Sequence, residues 1–350
     1  MISVSVFAQE IEEQPETLKD LIDKIPSIKM ELSKIDKYHK IVFVGMGSSL
    51  YASIPSVYFL RQSGIDADYI DASEAIRYFD KKLFEQFDIC VLVSQSGETT
   101  EILRILDMIK ELNILMIGVT AHVKSHLGAQ VDIILDIFSG EEKAMGTTKT
   151  HINSVLTLLI ISLIFAKRLE NELENIQKLP NALELSIHKG RRNVEKLLKY
   201  SIEFENSIIT TTGFALGEVY QAALTLNEIA RVNVFPISTG MFKHGPIELF
   251  ADKRSFIQFI PDVQDKNLLV DLGCNIANRA KFSWIISNSQ IDLDCGSFDK
   301  SVIFDSINSD LPEYLQGVLF LPYVQILSDE IRKIKGIEEN EFYLISKVIK

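Results

Sequence analysis

The sequence predicts an α/β protein with two doubly wound parallel β-sheets, each flanked by helices in a three-layer α/β/α arrangement. Three observations predict this fold. Short apolar strands alternate with helical segments, a strand–glycine–helix opening occurs twice, and 350 residues suffice for two such domains. Strands that are apolar throughout are typical of parallel sheets covered on both faces. The two openings are at Gly45 and Gly213, and they indicate an internal duplication.

The first 25 residues are predicted to form an N-terminal helical segment. Pro15 is expected near its first turn, where a missing N–H costs nothing. The first domain is predicted over residues 26–175. Its predicted strands are Lys40–Gly45, Asp88–Val93, Asn113–Thr120 and Val131–Asp136. The apolar run Val155–Ala166 is too short to span a membrane and predicts a buried core helix.

A charged helical stretch, Lys167–Lys199, contains the predicted linker helix at residues 176–194. The second domain is predicted over residues 195–335, followed by a C-terminal tail over residues 336–350. The predicted strands of the second domain are Ser207–Gly213, Ser255–Ile260, Phe282–Ile286 and Ser301–Phe304.

Composition excludes several classes of partner. The chain carries 36 basic and 48 acidic residues, a net charge of -12, which argues against binding to nucleic acid or to anionic membranes. The first residues lack the pattern of a signal peptide, so a cytoplasmic location is expected. Three scattered cysteines predict no disulfide framework, and no cluster has metal-ligand spacing. No metal and no cofactor are therefore expected.

The motif Ser94–Thr99, with the sequence Ser-Gln-Ser-Gly-Glu-Thr, lies where a predicted strand gives way to a helix. Parallel sheets bind ligands at the carboxyl ends of their strands, and a helix N-terminus there favours an anion. Ser94, Ser96 and Thr99 offer three hydroxyl donors, and Gly97 allows close backbone approach. The alternative is an ordinary capped helix start, since serine and threonine favour such positions.

A second loop, Gly45–Ser49, ends another strand of the same domain in the same way. Two loops rich in glycine and hydroxyl groups favour a phosphate-binding site over two coincidental caps. Both loops lack the lysine of a P-loop and a full dinucleotide fingerprint.

The residues of these two loops resemble those of a known protein family. Gly47-Ser48-Ser49, followed about 45 residues later by Ser94–Thr99, resembles the first sugar-isomerase (SIS) domain in the isomerase half of glucosamine-6-phosphate synthase. The related amino-sugar-phosphate deaminases and fructosamine-6-phosphate deglycases are similar too. The resemblance implies phosphate contacts and sugar contacts for separate sets of residues. It implies phosphate contacts for Ser49, Ser94, Gln95, Ser96 and Thr99, and sugar contacts for Gly47, Ser48, Glu142 and Thr147.

Isomerising or deaminating an amino sugar needs ring opening, proton transfer between C1 and C2 and, in some enzymes, an imine. Histidine, glutamate and lysine suit these tasks, and His244, Glu228 and Lys347 are candidates. By residue type alone each is more commonly a surface group. The resemblance implies that His244 opens the ring, that Glu228 transfers the proton and that Lys347 forms an imine. It also implies that His244 acts in the neighbouring subunit's site, so that the protein is at least a dimer.

Two departures from the family pattern concern the chemistry. Thr225 stands where the synthase has a lysine, and the tail before Lys347 lacks the usual proline and arginine. Ile2 stands where a glutamine-hydrolysing domain would carry its cysteine nucleophile, so no glutaminase domain is expected. The sequence thus favours an amino-sugar-phosphate isomerase or deaminase, converting glucosamine 6-phosphate to fructose 6-phosphate. A fructosamine-6-phosphate deglycase and a non-catalytic phosphosugar sensor remain alternatives.

Overall fold

Two five-stranded sheets, both wholly parallel, form the framework of the protein. The computed structural model describes residues 4–35, 38–291 and 302–344. Two compact units result. The N-terminal unit comprises residues 13–180 and the chain from residue 340, and the C-terminal unit comprises residues up to 12 and 181–339. The predicted fold class is confirmed.

The N-terminal unit holds the first sheet and the helices that cover it. Its elements are α1 (Val6–Asp23, begun in the C-terminal unit), α2 (Ile25–Leu32), β1 (Lys40–Gly45), α3 (Ser48–Gln62), β2 (Asp66–Asp71), α4 (Ala72–Tyr78), a 3₁₀ helix (Lys81–Gln86), β3 (Ile89–Val93), α5 (Thr100–Ile109), β4 (Leu115–Thr120), β5 (Ile133–Asp136) and α6 (Lys149–Phe165). Helix α6 is buried along nearly its whole length, which confirms the core helix predicted from its apolar run.

Helix α7 (Leu169–Leu197) passes from the first unit into the second. The C-terminal unit then holds β6 (Ser207–Thr211), a 3₁₀ turn (Gly213–Ala215), α8 (Leu216–Ile229), β7 (Val234–Ser238), α9 (Thr239–Lys243), a 3₁₀ helix (Pro246–Asp252), β8 (Ser255–Ile260), α10 (Lys266–Ala277), β9 (Phe282–Ser287), β10 (Val302–Ser306) and α11 (Glu313–Ile334).

The strand order of the first sheet is β2-β1-β3-β4-β5, and that of the second is β10-β9-β8-β6-β7. Numbered within each sheet, the two orders are the same. The duplicated strand–glycine–helix openings at Gly45 and Gly213 therefore stand at equivalent places, after the first strand of each sheet.

Strands β2 and β7 have no counterpart among the predicted strands. Both are edge strands, and neither has the continuous apolar run of the central ones. Strand β2 alternates exposed aspartates with a buried alanine, and β7 contains Pro236. An edge strand tolerates charge and proline because one side of its backbone forms no ladder hydrogen bonds. Apolar patterning alone therefore misses these strands.

Two further expectations are corrected. Pro15 lies well inside α1, which begins at Val6, because the apolar positions Ile11 and Leu18 on either side of it are fully buried and hold the helix together. Cys274 is disulfide-bonded, although the sequence predicts no disulfide, whereas Cys90 is a free buried thiol. Pairing depends on distance in space, which the spacing of cysteines along the chain does not show.

Within the described ranges, no helix combines the length and the apolar character that crossing a lipid bilayer requires.

Candidate active site

The first sheet has a topological switch point between β1 and β3. These strands are neighbours, paired from Ile41 with Ile89 to Val44 with Leu92, and the chain leaves them towards opposite edges of the sheet. A doubly wound sheet opens a crevice at such a point, and ligands bind there. The loops that follow β1 and β3 are Gly45–Ser49 and Ser94–Thr99, so the structure brings the two predicted phosphate loops to the same crevice.

The loop after β3 is held by its own hydroxyl groups. The Oγ of Ser94 lies 2.8 Å from Oγ1 of Thr99 and accepts the backbone N–H of Gly97 at 3.0 Å. Ser96 Oγ accepts the N–H of Glu98 at 3.1 Å. A hydroxyl that accepts one hydrogen bond keeps its own proton to donate. Thr99 is the N-cap residue of α5 but makes no side-chain cap bond. Its hydroxyl therefore does not cap the helix, as the alternative interpretation of an ordinary capped helix start would require.

Gly97 is required by the shape of this loop. Its φ of +65° is in the left-handed region, and an added Cβ would lie 1.9 Å from Ser125 Oγ. The neighbouring Gln95 is fixed through its carbonyl, which accepts the N–H of Ala121 and the hydroxyl of Thr120, both at 3.0 Å. The loop is therefore pre-shaped before any ligand enters.

Glu98 is the one acidic residue within Ser94–Thr99, and it is bound elsewhere. Its carboxylate accepts the backbone N–H of His126 at 2.9 Å and lies 2.6 Å from His126 Nδ1. The backbone hydrogen bond from His126, followed by the side-chain contact, lowers the pKa of Glu98. The carboxylate of Glu98 thus interacts with His126.

The loop after β1 is shaped by two glycines. An added Cβ on Gly45 would lie 2.8 Å from the backbone nitrogen of Leu50, and Gly47 has a φ of +49°. The side chains of Ser48 and Ser49 are half-buried at the start of α3, where a helix leaves backbone N–H groups without intrahelical acceptors. These N–H groups suit an anion.

The segment before α6 contacts this loop through Thr147, whose Oγ1 lies 3.5 Å from Ser48 Oγ. Glu142, predicted to contact the sugar, is nearly buried and binds the chain itself. Its carboxylate accepts the N–H and hydroxyl of Thr148, at 2.8 and 3.0 Å, and those of Thr150, at 3.2 and 2.6 Å. In this structure Glu142 therefore stabilises the start of α6.

Sequence reasoning missed His151. Its ring is buried on α6, and Nδ1 lies 3.2 Å from the carbonyl oxygen of Ser48. Burial lowers the pKa of His151 to about 4, so the ring is neutral at physiological pH and Nδ1–H donates to Ser48. No pattern in the sequence around His151 distinguishes it from other residues of this apolar helix.

The equivalent loop in the second sheet is closed to anions. An added Cβ on Gly213 would lie 2.5 Å from Oε1 of Glu313, and the Glu313 carboxylate accepts the backbone N–H of Phe214. Burial raises the pKa of Glu313. A carboxylate thus takes the place at the helix start that a phosphate takes in an open site. At this loop the second sheet therefore offers no place equivalent to the phosphate site predicted in the first sheet.

The predicted proton-transfer residues belong to the C-terminal unit. Glu228 lies half-buried in the last turn of α8, and burial raises its pKa to about 7. Thr225, one turn earlier, is buried and donates its hydroxyl to the carbonyl of Gln221 at 3.0 Å. His244 is exposed directly after α9, and Gly245 follows with a φ of +133°. Lys347 lies outside the described residues.

Comparison with known proteins agrees with this geometry. A family model described as SIS domain matches residues 34–166, which contain both loops of the crevice. Isomerizing glutamine–fructose-6-phosphate aminotransferase from Thermococcus kodakarensis is 25% identical over 342 residues, covering 94% of this chain and 55% of that protein. The enzyme of the same name from Sulfolobus acidocaldarius is 28% identical, covering 85% and 50%. The chain spans about half the length of the curated relatives it matches.

Solved structures share the fold along nearly the whole chain. The C-terminal domain of glucosamine-fructose-6-phosphate aminotransferase from Francisella tularensis superposes with a TM-score of 0.84 at 20% identity, covering 97% of this chain and 98% of that one. Glucosamine-6-phosphate deaminase from Thermotoga maritima gives 0.74 at 21% identity, covering 99% of both. Residues 34–166 thus match the SIS-domain model, and they contain the sheet that carries both hydroxyl-rich loops.

Proposed function

We propose that the protein is a phosphosugar isomerase of the SIS type that acts on an amino-sugar 6-phosphate. The reaction would convert glucosamine 6-phosphate and water to fructose 6-phosphate and ammonia. The observation that carries this proposal is that two hydroxyl-rich loops and two helix starts follow the neighbouring parallel strands β1 and β3 at the same edge of the sheet. The name of the deaminase with the same fold supports this choice of substrate.

The phosphate is held without a cation in this proposal. Ser49 and Ser96 donate hydroxyl protons to it, as does whichever of Ser94 and Thr99 does not donate to the other. The first N–H groups of α3 and α5 complete this phosphate cradle. The carbonyl of Gln95 is already engaged by β4, which leaves its side-chain amide to the ligand. The sugar then extends towards Ser48 and Thr147.

In this proposal Glu228 transfers the proton and His244 opens the ring. Once the ring is open, an ionised Glu228 removes the proton from C2 and returns a proton to C1, which leaves an imine at C2. Water adds to that imine and ammonia leaves. A pKa of about 7 gives Glu228 both protonation states near neutral pH, as a group that takes and returns a proton requires.

Lys347 is proposed to hold the sugar as an imine at C2: its amine adds to the carbonyl of open-chain fructose 6-phosphate with loss of water, and hydrolysis reverses the step. The tail enters the N-terminal unit at Asn340, whose side-chain oxygen accepts the N–H of Met145, next to the segment that carries Thr147. This contact favours a tail that runs towards the phosphosugar.

A second candidate is a deglycase that releases an amino acid from a fructosamine 6-phosphate. Like the deaminase, it is compatible with Thr225, because that hydroxyl is bound to its own helix and does not replace the lysine of the synthase. The same phosphate cradle would bind the substrates of both reactions. The sugar loses ammonia in the first and an amino acid in the second.

The test is an assay of glucosamine 6-phosphate and of an amino-acid-linked fructosamine 6-phosphate, with ammonia and free amino acid measured separately. Ammonia release should be lost in Glu228→Gln and His244→Asn but retained in the matched controls Glu184→Gln and His188→Asn, which are exposed on α7. Borohydride with fructose 6-phosphate should label the C-terminal peptide unless Lys347→Ala is present. Release of amino acid alone would select the deglycase, and ligand binding without turnover would select a sensor.

A further inference from the structure

A cavity of about 540 Å³ opens in the C-terminal unit, between the 3₁₀ helix Pro246–Asp252 and α10. Its floor is apolar and formed by Ile247, Phe250 and Ile276, of which Phe250 and Ile276 are 3% and 2% exposed. The volume is in the range of pockets that hold small organic molecules. No role in the proposed chemistry uses these residues.

Two cations line the cavity. Lys253 and Arg279 are exposed, and within the described residues neither forms an ion pair with a carboxylate. In a chain with a net charge of -12, a cavity lined by two cations and a single carboxylate beside an apolar floor is a local exception. Asn275 adds an amide donor, and Glu248 adds an acceptor at the same rim.

Lys253 adopts an unfavourable backbone conformation to reach this position. Its φ of +52° and ψ of +54° are left-handed, a conformation that favours glycine at the end of a helix. A side chain held in this region is a reason to look for a role. Here the side chain places a charge at the cavity.

We infer that this cavity is a second ligand site, separate from the phosphate cradle, for a small organic anion with an apolar body. The anionic group lies between Lys253 and Arg279, the apolar part packs on Phe250 and Ile276, and a hydroxyl or amine donates to Glu248. An inorganic anion leaves the floor uncovered, and a neutral apolar molecule leaves both cations unpaired.

The site is placed to influence the turn at His244. Phe250 in the cavity floor packs edge-to-face against Phe242, with ring centroids 5.8 Å apart, and His244 follows Phe242 by two residues. The cavity wall itself begins at Pro246, immediately after Gly245. An occupied cavity therefore holds both ends of the turn, and its effect on turnover rests on the proposed function.

Binding can be tested without turnover. The probe is 8-anilinonaphthalene-1-sulfonate, an aromatic anion whose fluorescence rises in an apolar site, displaced in turn by phenyl phosphate, phenylacetate, phenol and inorganic phosphate. Displacement by phenyl phosphate or phenylacetate, but not by phenol or inorganic phosphate, is expected. Which of the two displaces more strongly identifies the anionic group. The matched control for Lys253→Gln/Arg279→Gln is Lys19→Gln/Lys34→Gln, which removes two exposed cations elsewhere.

The cavity double variant should weaken probe binding by at least about tenfold, the loss expected for charge-assisted contacts, and the control double variant by less than about twofold. The cradle variant Ser96→Ala/Thr99→Ala should bind the probe normally, which separates this site from the proposed phosphosugar site. Equal binding by both double variants would overturn the inference. A change in oligomeric state in the cavity variant would overturn it too, because the cavity would then be a subunit interface.

Discussion

Glu218 and Glu228 share helix α8, and burial raises the pKa of both carboxyl groups, to about 8 and about 7. Glu218 is 1% exposed, and its oxygens have no hydrogen-bond partner in the described part of the chain. Glu228 is only half-buried and can be reached from outside. At the scale of single residues, accessibility therefore makes Glu228 the candidate for chemistry and Glu218 a structural group.

A pH profile should show Glu228 directly. If the ionised carboxylate removes the proton from C2 as proposed, kcat/KM for glucosamine 6-phosphate should fall as pH decreases through about 7. Glu228→Gln should lose this inflection together with most activity, and Glu184→Gln should keep both. An inflection near 7 that survives in the residual activity of Glu228→Gln would contradict the assignment.

The cradle hydroxyls give a second prediction at this scale. Ser96→Ala/Thr99→Ala should weaken fructose 6-phosphate binding by roughly 2–4 kcal/mol, at about 1–2 kcal/mol for each hydrogen bond lost to a charged group. Calorimetry measures this, with the exposed Ser27→Ala/Ser33→Ala on and after α2 as control. Unchanged affinity in the cradle variant would remove the phosphate assignment.

At the scale of elements, α8 and α11 pack closely where Gly317 faces Glu218. An added Cβ on Gly317 would lie 2.9 Å from Glu218 Oε2 and 3.2 Å from the Cα of Ala215. Glycine therefore permits the close approach of these helices, and the approach seals the Glu218 carboxyl from water. An ionised group there is costly, which is why its pKa is raised.

The stability of the protein should therefore depend on pH through Glu218. In the unfolded chain this carboxyl ionises near its ordinary pKa, but in the folded state only near 8. Between these values the folded state binds the additional proton, so this contribution to the free energy of unfolding decreases as pH rises from about 5 to 8, by about 1.4 kcal/mol per pH unit. Glu218→Gln should flatten the pH dependence seen in chemical denaturation, and Glu184→Gln should not. Parallel pH dependence in Glu218→Gln and the parent would contradict this.

At the scale of the whole molecule, two units with the same strand order carry different groups at equivalent loops. The first sheet ends in hydroxyl groups after β1 and β3, whereas Glu313 closes the loop after β6 in the second. The two predicted phosphate loops therefore lie in the N-terminal unit, and the proposed catalytic residues Glu228 and His244 lie in the C-terminal unit.

If the protein is a dimer in which His244 acts in the partner's site, two inactive variants should complement each other. A mixture of His244→Asn and Glu228→Gln should recover about a quarter of parent activity after subunit exchange, because half the dimers are hybrids and each has one intact site of two. Mixing Glu228→Gln with the double variant should restore nothing. If light scattering shows a monomer, or if activity does not recover after subunit exchange has been demonstrated, the proposal of a site shared between subunits is wrong.

Sequence patterns identified most of the fold and predicted the two hydroxyl-rich loops after their strands, because both depend on local features. Central strands such as β1 and β8 are continuous apolar runs, and the Ser94–Thr99 loop follows from its hydroxyls, its glycine and its place after a strand. The edge strands β2 and β7 were not predicted, because polar residues and Pro236 are allowed where one side of the strand is unpaired.

The sequence alone determined that the chain has two doubly wound sheets and where a phosphate cradle would lie. Only the tertiary structure decided which carboxyl groups are buried, that Glu142 binds the start of α6, and that His151 supports Ser48. The cavity beside Lys253 and Arg279 is likewise visible only in the tertiary structure. The physical reason is that burial and contact between residues far apart in sequence set pKa values and pair polar groups, and no local pattern encodes those distances.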